Sequence, residues 1–178
     1  MKLNIISFFV TMVIAQTPHV LAKAPEPVNY LNAKQFSGLW YEIARTYNDF
    51  EKNCVGSTVE YKHVEPLKYE IKNRCYKTTF DGKIIEYNGT AKPTNGKDMS
   101  EIDMTYFWIF TKEYRIIYLD ENYKWAVVSD RDMEDLWIIN RTPFMKKEKL
   151  DNIVASLDKH MDTSKLIYTP HKKKEDTK

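Results

Sequence analysis

Side chains that could act as nucleophiles or bases are few and far apart in this sequence. The four histidines are His19, His63, His160 and His171. A catalytic nucleophile needs a base within reach, and the sequence holds neither a Ser-x-Gly elbow nor a Cys/His pairing. A haem ligand would have to be an inward histidine, which strand parity offers only at His63. We therefore expect no catalytic residue and no cofactor, and a protein that is not an enzyme.

The first 24 residues have the pattern of a secretory signal peptide. Lys2 gives a positive start, residues 3–15 form a short apolar run, and small residues offer cleavage after Ala22 or Ala24. The run is short for a membrane span, which disfavours a signal anchor. Because no cysteine follows it, we expect no lipid attached at a signal-peptide cysteine. We expect an exported protein, periplasmic or secreted, with a folded domain over 25–170 and a charged flexible tail over 171–178.

The two cysteines of the sequence, Cys54 and Cys75, form an even pair in an exported chain. This pattern predicts one disulfide bond, and two free thiols are the alternative. Neither cysteine has a metal-ligand partner at short spacing, so we expect no metal site. Cys75 falls on the inward set of its strand, whereas Cys54 has the opposite parity. A bulge near Gly56, or a Cys54 that precedes the regular strand, would resolve this conflict.

Charge excludes one class of partner. The sequence has 27 basic and 25 acidic residues, and cleavage after Ala24 would remove two lysines and no acid. A nucleic-acid-binding protein concentrates basic residues on one face, and no such concentration is visible. The lysine run after His171 is typical of a solvated tail. We expect no nucleic-acid partner.

The stretch from Leu39 to Arg141 is predicted to form eight short strands joined by tight turns, with no crossover helix. Asp81-Gly82 and Asn95-Gly96 are strong hairpin signals. Such strands pair with their neighbours, and closure into an antiparallel up-and-down barrel removes the exposed edges. The predicted strands are 39–47, 55–64, 68–77, 84–92, 101–109, 114–120, 125–129 and 135–140. The fold class is thus all-β.

Alternation along the strands indicates one sheet around a single interior. Ile102, Met104 and Tyr106 share one face, and charged or polar residues share the other. In the strand that precedes the turn at 95–96, the inward residues become small at one end, Gly89 and Ala91, which should leave room inside. After the last barrel strand, apolar residues at helical spacing in 149–160 predict one amphipathic helix packed outside, followed by a short strand at 166–169.

Three separated stretches carry a resemblance to a known family. They are Gly38-Leu39-Trp40 with Tyr41–Arg45, Leu119–Tyr123 with Lys124-Trp125-Ala126, and Leu136–Pro143. On these residues the chain resembles a lipocalin, most closely the bacterial lipocalin and apolipoprotein D group, over about residues 28 to 170. In such proteins these stretches meet at the closed end of the barrel. The resemblance implies a carrier or store of a small hydrophobic or amphiphilic ligand, such as a fatty acid or lysophospholipid.

Gly38, Trp40 and Arg141 are predicted to form the structural floor of this barrel. Gly38 allows the chain to turn inward, Trp40 would lie across the closed end, and Arg141 would stack on the indole. The ligand should lie nearer the open end. By parity the predicted ligand-binding residues are Val59, Tyr61, Tyr69, Ile71, Tyr87, Met104, Tyr106 and Trp137. Their tyrosine hydroxyls and Asn73 would add a few polar contacts to an apolar pocket.

Other interpretations remain open at this stage. Glu42 shares parity with Trp40 and, if inward, needs an Arg or Tyr partner or acquires a raised pKa; recognition of a ligand head group is the alternative. The barrel could also be filled, as in a structural or interaction protein, and a lipid-modifying enzyme is less favoured. Phe50 and Phe107–Phe110 are either membrane- or partner-contacting rim residues or a packed loop. We expect a monomer or weak dimer.

Overall fold

A computed structural model describes residues 23–173 of the chain. These residues form a closed antiparallel barrel of eight strands with a short ninth strand at its side. The expected signal peptide, apart from Lys23 and Ala24, and the last five residues of the expected tail lie outside the described part. The strands are β1 Gly38–Arg45, β2 Cys54–Glu65, β3 Lys68–Lys77, β4 Ile84–Pro93, β5 Glu101–Tyr106, β6 Phe110–Leu119, β7 Trp125–Ser129, β8 Leu136–Asn140 and β9 Ile167–Tyr168.

Each barrel strand pairs with its neighbour in sequence, and β1 closes the barrel by pairing with both β2 and β8. The eight strands, their antiparallel order and the closure confirm the sequence-based prediction. β9 pairs with the end of β1. A one-turn helix, α1 (Ala33–Phe36), precedes β1, and its first N–H groups are capped by the Asn32 side chain.

Two hydrophobic cores lie on either side of the sheet. The inner core fills the closed end of the barrel, where Phe36 of α1 packs on Trp40 and on Tyr61 of β2. The outer core lies between the barrel and helix α2 (Lys147–Leu157), which buries Ile153 and Leu157 against β1, β7 and β8. The prediction of one external amphipathic helix is confirmed, although the helix begins and ends earlier than the expected 149–160.

The boundary between β5 and β6 was wrong in the sequence-based prediction. A single strand was expected to continue to Ile109, whereas β5 ends at Tyr106 and β6 begins at Phe110. Phe107 and Trp108 turn the chain with φ of +53° and +62°. Bulky residues rarely adopt this left-handed conformation. Because the turn contains no Gly, Asn or Pro, which usually mark a turn, it could not be predicted from the sequence.

Cys54 and Cys75 form a disulfide bond between β2 and β3, as predicted. The pairing of β2 with β3 shifts register between Val55 and Thr58, and Gly56 has a φ of +62°. Of the two solutions to the parity conflict, the structure shows the bulge near Gly56. Closing a loop of this length is expected to stabilise the fold by about 3 kcal/mol.

Candidate functional site

The closed end of the barrel is sealed by a stack of an indole and a guanidinium. The Arg141 guanidinium carbon lies 3.6 Å from the centre of the Trp40 ring. Its nitrogens donate to the carbonyl oxygens of Leu39 (3.0 Å) and Phe36 (3.1 Å), and Trp40 Nε1 donates to the same Phe36 oxygen at 2.8 Å. Gly38 has a φ of +101°, and a Cβ there would lie 3.3 Å from the Arg141 side chain. These residues therefore hold the floor together and lie away from the open interior.

Above this floor the barrel divides into a packed lower half and an open upper half. Tyr69, Ile71 and Ala91 are buried in the packed half, together with Phe36 and Trp40. The upper half encloses a cavity of about 440 Å³ with mostly apolar walls. This volume lies within the range of small-molecule binding sites.

Six of the eight residues predicted to bind ligand lie on the cavity wall, and two do not. The six come from four strands and share the inward face: Val59, Tyr61, Tyr87, Met104, Tyr106 and Trp137. Tyr69 and Ile71 face inward as parity required, but they lie lower, where the interior is filled. Tyr69 donates its hydroxyl to the Ala33 carbonyl of α1 at 2.9 Å, which gives it a structural contact.

The cavity does not arise where the small residues of β4 suggested. A Cβ on Gly89 would lie 2.6 Å from the Thr105 carbonyl oxygen and 2.8 Å from the Tyr106 ring. Gly89 thus admits the close approach of β5 and the Tyr106 ring, and Ala91 is fully buried in the lower core. The expectation that these two residues leave room for a ligand was wrong, because neighbouring side chains occupy that space.

Polar groups on the cavity wall include a pair of carboxylic acids, Glu42 fully buried and Glu51 partly buried. Glu42 faces inward from β1, and Glu51 reaches in from the segment between β1 and β2. Arg45 Nε lies 3.3 Å from Glu42 Oε1 and 4.0 Å from Glu51 Oε2. A bulge between Glu42 and Ala44 in the pairing with β8 places Arg45 on the same side as Glu42. Two acids thus share one arginine at the side of the cavity.

Glu51 and Glu42 are held by different parts of the chain. Glu51 Oε2 accepts hydrogen bonds from Trp137 Nε1 and from Asn48 Nδ2, both at 2.9 Å. Glu42 Oε1 accepts a hydrogen bond from the Thr169 hydroxyl, and the Glu42 carbonyl contacts the His171 ring at 2.6 Å. His171 was expected to begin a flexible tail, but it packs against β1. It does so because the segment just before it is hydrogen-bonded to the backbone of Ile43 and of Gly56.

Burial raises the pKa of Glu42 well above its usual range. The charge of Glu51 and a hydrogen bond with it act in the same direction, whereas Thr169 and Arg45 act against them. The physical consequence is that the neutral form of Glu42 is favoured at this position, despite the nearby arginine.

Lys112 lies on the cavity wall, and it is already paired. Its Nζ lies 2.7 Å from Asp130 and 2.6 Å from Asp135. Burial alone would lower the pKa of Lys112, but the hydrogen bonds and charges of these two aspartates outweigh it and raise that pKa. Tyr114, beside it, has a pKa raised to about 12, chiefly by burial.

The rim of the cavity carries a strongly apolar tip. Trp108 is 97% exposed and Ile109 is 76% exposed, on the turn between β5 and β6. Phe107 and Phe110 flank them, and Phe50 lies across the mouth, joined to Phe107 through the ring of Tyr87. These residues are therefore on the surface and next to the cavity, and not in a packed loop.

Sequence patterns missed Glu51, Asn48 and Tyr114. The first two lie in a connecting segment whose position depends on tertiary contacts, so no periodicity marks them. Tyr114 could have been found, because it begins the predicted strand 114–120 with the same parity as Ile116. The late start of that predicted strand concealed Lys112, which has the same parity and lies in the observed β6.

The histidines show no catalytic arrangement within residues 23–173. His63 Nε2 lies 3.4 Å from the Pro66 carbonyl, outside the cavity wall, and His160 contacts the Lys23 carbonyl at 2.7 Å. No group of three or more His, Cys, Asp or Glu that could hold a metal ion occurs in the described part of the chain. Over the same residues, no helix has the length and hydrophobicity needed to cross a bilayer.

The comparisons with known proteins agree on one protein family. A family model described as a lipocalin-like domain matches residues 31–171. The outer membrane lipoprotein Blc of Vibrio cholerae is 31% identical over 150 residues, covering 83% of this chain and 87% of that protein. Temperature-induced lipocalin-1 of Arabidopsis thaliana is 28% identical, with 83% of each chain covered.

The solved structures with the same fold include insecticyanin from the tobacco hornworm Manduca sexta. It superposes with a TM-score of 0.69 at 18% identity and covers 88% of this chain and 89% of its own. At that identity the likeness shows the fold. With the family match over most of the chain and the barrel, floor and cavity described above, this protein belongs to the lipocalin family, whose members bind small hydrophobic ligands.

Proposed function

We propose that this protein is an extracytoplasmic carrier or store of a single-chain amphiphile, with a fatty acid or a lysophospholipid as the candidate ligands. The observation that carries the proposal is the 440 Å³ cavity, which is open at the rim and closed below by Trp40. Its aromatic and aliphatic walls suit an acyl chain. The few polar groups on the wall, Glu42, Glu51 and Lys112 among them, would contact a head group.

Export is supported by two features. The sequence begins with a pattern typical of a signal peptide, and Cys54 is bonded to Cys75. Disulfide bonds persist in oxidising compartments such as the periplasm and the exterior of the cell. Because both cysteines of the sequence take part in this bond, neither is free to carry an acyl chain.

We also propose that the apolar tip, residues 107–110, contacts a membrane surface while ligand is exchanged. Tryptophan and phenylalanine are suited to the boundary between water and lipid. The tip is next to the mouth, so contact there would give an acyl chain a short path between bilayer and cavity. The alternative function, that of an interaction protein, can be told apart from a carrier because it would not require an open cavity.

Filling the cavity tests the carrier proposal. Met104 lies on the wall, where its sulfur accepts a hydrogen bond from the Tyr106 hydroxyl at 2.8 Å. Met104→Trp should fold and lose most binding of lauroyl-lysophosphatidylcholine, measured by displacement of a neutral fluorescent probe. Met145→Trp makes the same change outside the barrel and should bind as the wild type does.

A filled barrel would give a different result. The wild type would take up no amphiphile, and Met104→Trp would lower the free energy of unfolding by about 1–3 kcal/mol as an overpacked core does. That pair of results would overturn the carrier proposal in favour of an interaction protein.

A further inference from the structure

We infer that the cavity selects amphiphiles whose head group carries a positive charge, such as a quaternary ammonium. This inference rests on the proposed carrier function and adds the charge of the ligand. Three carboxylate side chains lie on the cavity wall: Glu42, Glu51 and Asp135. They approach the cavity from three separate elements, namely β1, the segment after β1 and the segment before β8.

The cations of the wall are not free to bind an anion. Arg74 lies on the outward set of β3, where its Nε is 3.1 Å from Glu86 Oε2. Lys112 is held between Asp130 and Asp135. A fatty-acid carboxylate near the mouth would therefore compete with two aspartates for one ammonium while facing the other acids of the wall.

The aromatic side chains near these acids also suit a cation. The Tyr114 and Trp137 rings meet edge to face at 5.3 Å, and the Trp137 indole donates to Glu51. Tyr87 and Phe50 lie across the same mouth, 6.0 Å apart. A quaternary ammonium is bound well by aromatic faces with a carboxylate beside them, because attraction to the ring adds to the ionic attraction.

The charges around Glu42 indicate how the wall responds to a bound cation. The ionisable groups around Glu42 are Arg45 on its own strand, Glu51 on the next segment and His171 from the C-terminal segment. Lys112 and Asp135 lie on the wall of the same cavity, and Asp130 pairs with Lys112. Burial and the nearby Glu51 raise the pKa of Glu42, so its neutral form is favoured. A ligand ammonium beside Glu42 would favour its ionised form, so binding of a cation should release protons and tighten as the pH rises.

A series of ligands with the same twelve-carbon chain separates the head group from the tail. Dodecyltrimethylammonium, dodecanol and dodecanoate would each displace the neutral probe N-phenyl-1-naphthylamine from the full mature protein, below their aggregation concentrations. We expect the trimethylammonium compound to bind about tenfold or more tightly than dodecanoate. Calorimetry in buffers of different ionisation enthalpy should show protons released with the cation and none with dodecanol.

Glu51→Gln keeps the shape of the side chain and should reduce this preference to about threefold or less. Glu121→Gln, which lies at the other end of the barrel in the turn after β6, should leave it unchanged. Equal or tighter binding of dodecanoate by the wild type would overturn the head-group inference and leave the carrier function intact. Binding of none of the three compounds, dodecanol included, would overturn the carrier function itself.

Discussion

Removing the guanidinium of Arg141 should destabilise the fold through lost hydrogen bonds and through the lost stack on Trp40. Besides stacking on the indole, Arg141 donates to the Gln35 carbonyl at 2.7 Å and to the Tyr123 carbonyl at 3.2 Å, in addition to those of Leu39 and Phe36. Hydrogen bonds from a charged donor stabilise by roughly 1.5–3 kcal/mol each when buried, but water can replace some of these because the site is partly exposed. We expect Arg141→Ala to cost about 2–4 kcal/mol in total.

A double-mutant cycle isolates the stacking contact. Trp40→Ala should cost about 3–5 kcal/mol, as truncation of a fully buried aromatic does. With both residues changed, the loss should be smaller than the sum of the single losses by about 0.5–2 kcal/mol, the range for a cation over an aromatic ring. Urea denaturation followed by far-ultraviolet circular dichroism measures all four free energies of unfolding.

The matched control is the pair Lys149 and Trp125, in which the ammonium lies 5.8 Å from the ring centre instead of 3.6 Å. Its cycle should be additive within about 0.5 kcal/mol. If the Trp40 and Arg141 cycle is equally additive, the stack does not stabilise the floor and the reasoning fails. Arg141→Lys should behave more like Arg141→Ala than like the wild type, because a single ammonium cannot reach four carbonyl groups.

Two further predictions concern the rim and the buried acids. Trp108→Ser should weaken co-sedimentation with phosphatidylcholine vesicles by about tenfold, because a large apolar side chain is lost from the surface. The control is Tyr30→Ser, which changes a side chain that is 65% exposed beside α1. Equal losses of vesicle binding in the two variants would contradict a role for the apolar tip. Glu42→Gln should become progressively more stable than the wild type as the pH rises from about 4.5, by up to about 1.4 kcal/mol per pH unit. The reason is that Glu42 ionises in the unfolded wild type at a lower pH than in the folded protein, which keeps the neutral acid. Ionisation therefore stabilises the unfolded wild type, whereas Gln cannot ionise in either state. Urea denaturation between pH 4.5 and 8 checks this, and a difference that does not vary with pH would contradict the raised pKa.

The alternation of apolar and polar residues made the inward face of each strand predictable. Met104 and Tyr106 face inward as expected, and so does Tyr87 on the neighbouring strand. Even the conflict between the two cysteines was informative, because a bulge was one of its two predicted solutions and the register of β2 contains one at Gly56. Period-two patterns constrain side-chain direction strongly when one face of the sheet is buried.

Depth along the barrel was not predictable in the same way. Parity assigns a side chain to the interior but gives no height, so Tyr69 and Ile71 received the same expectation as residues on the cavity wall. Gly89 shows a second limit, because a small residue can mark either empty space or the close approach of another group. Here the Tyr106 ring fills the position, and only the packing of β4 on β5 decides between the two.

Strand β1 explains why the interior changes character from bottom to top. Trp40 and Glu42 are two residues apart and both face inward, so one strand supplies the apolar floor and the first polar group above it. The bulge after Glu42 then turns Arg45 toward the same side, where a regular strand would have placed it outside. Arg45 offsets part of the cost of burying this carboxylic acid. The local irregularity of β1 therefore allows a polar, ionisable wall to exist directly above a closely packed aromatic floor, and it sets where packing ends and the cavity begins.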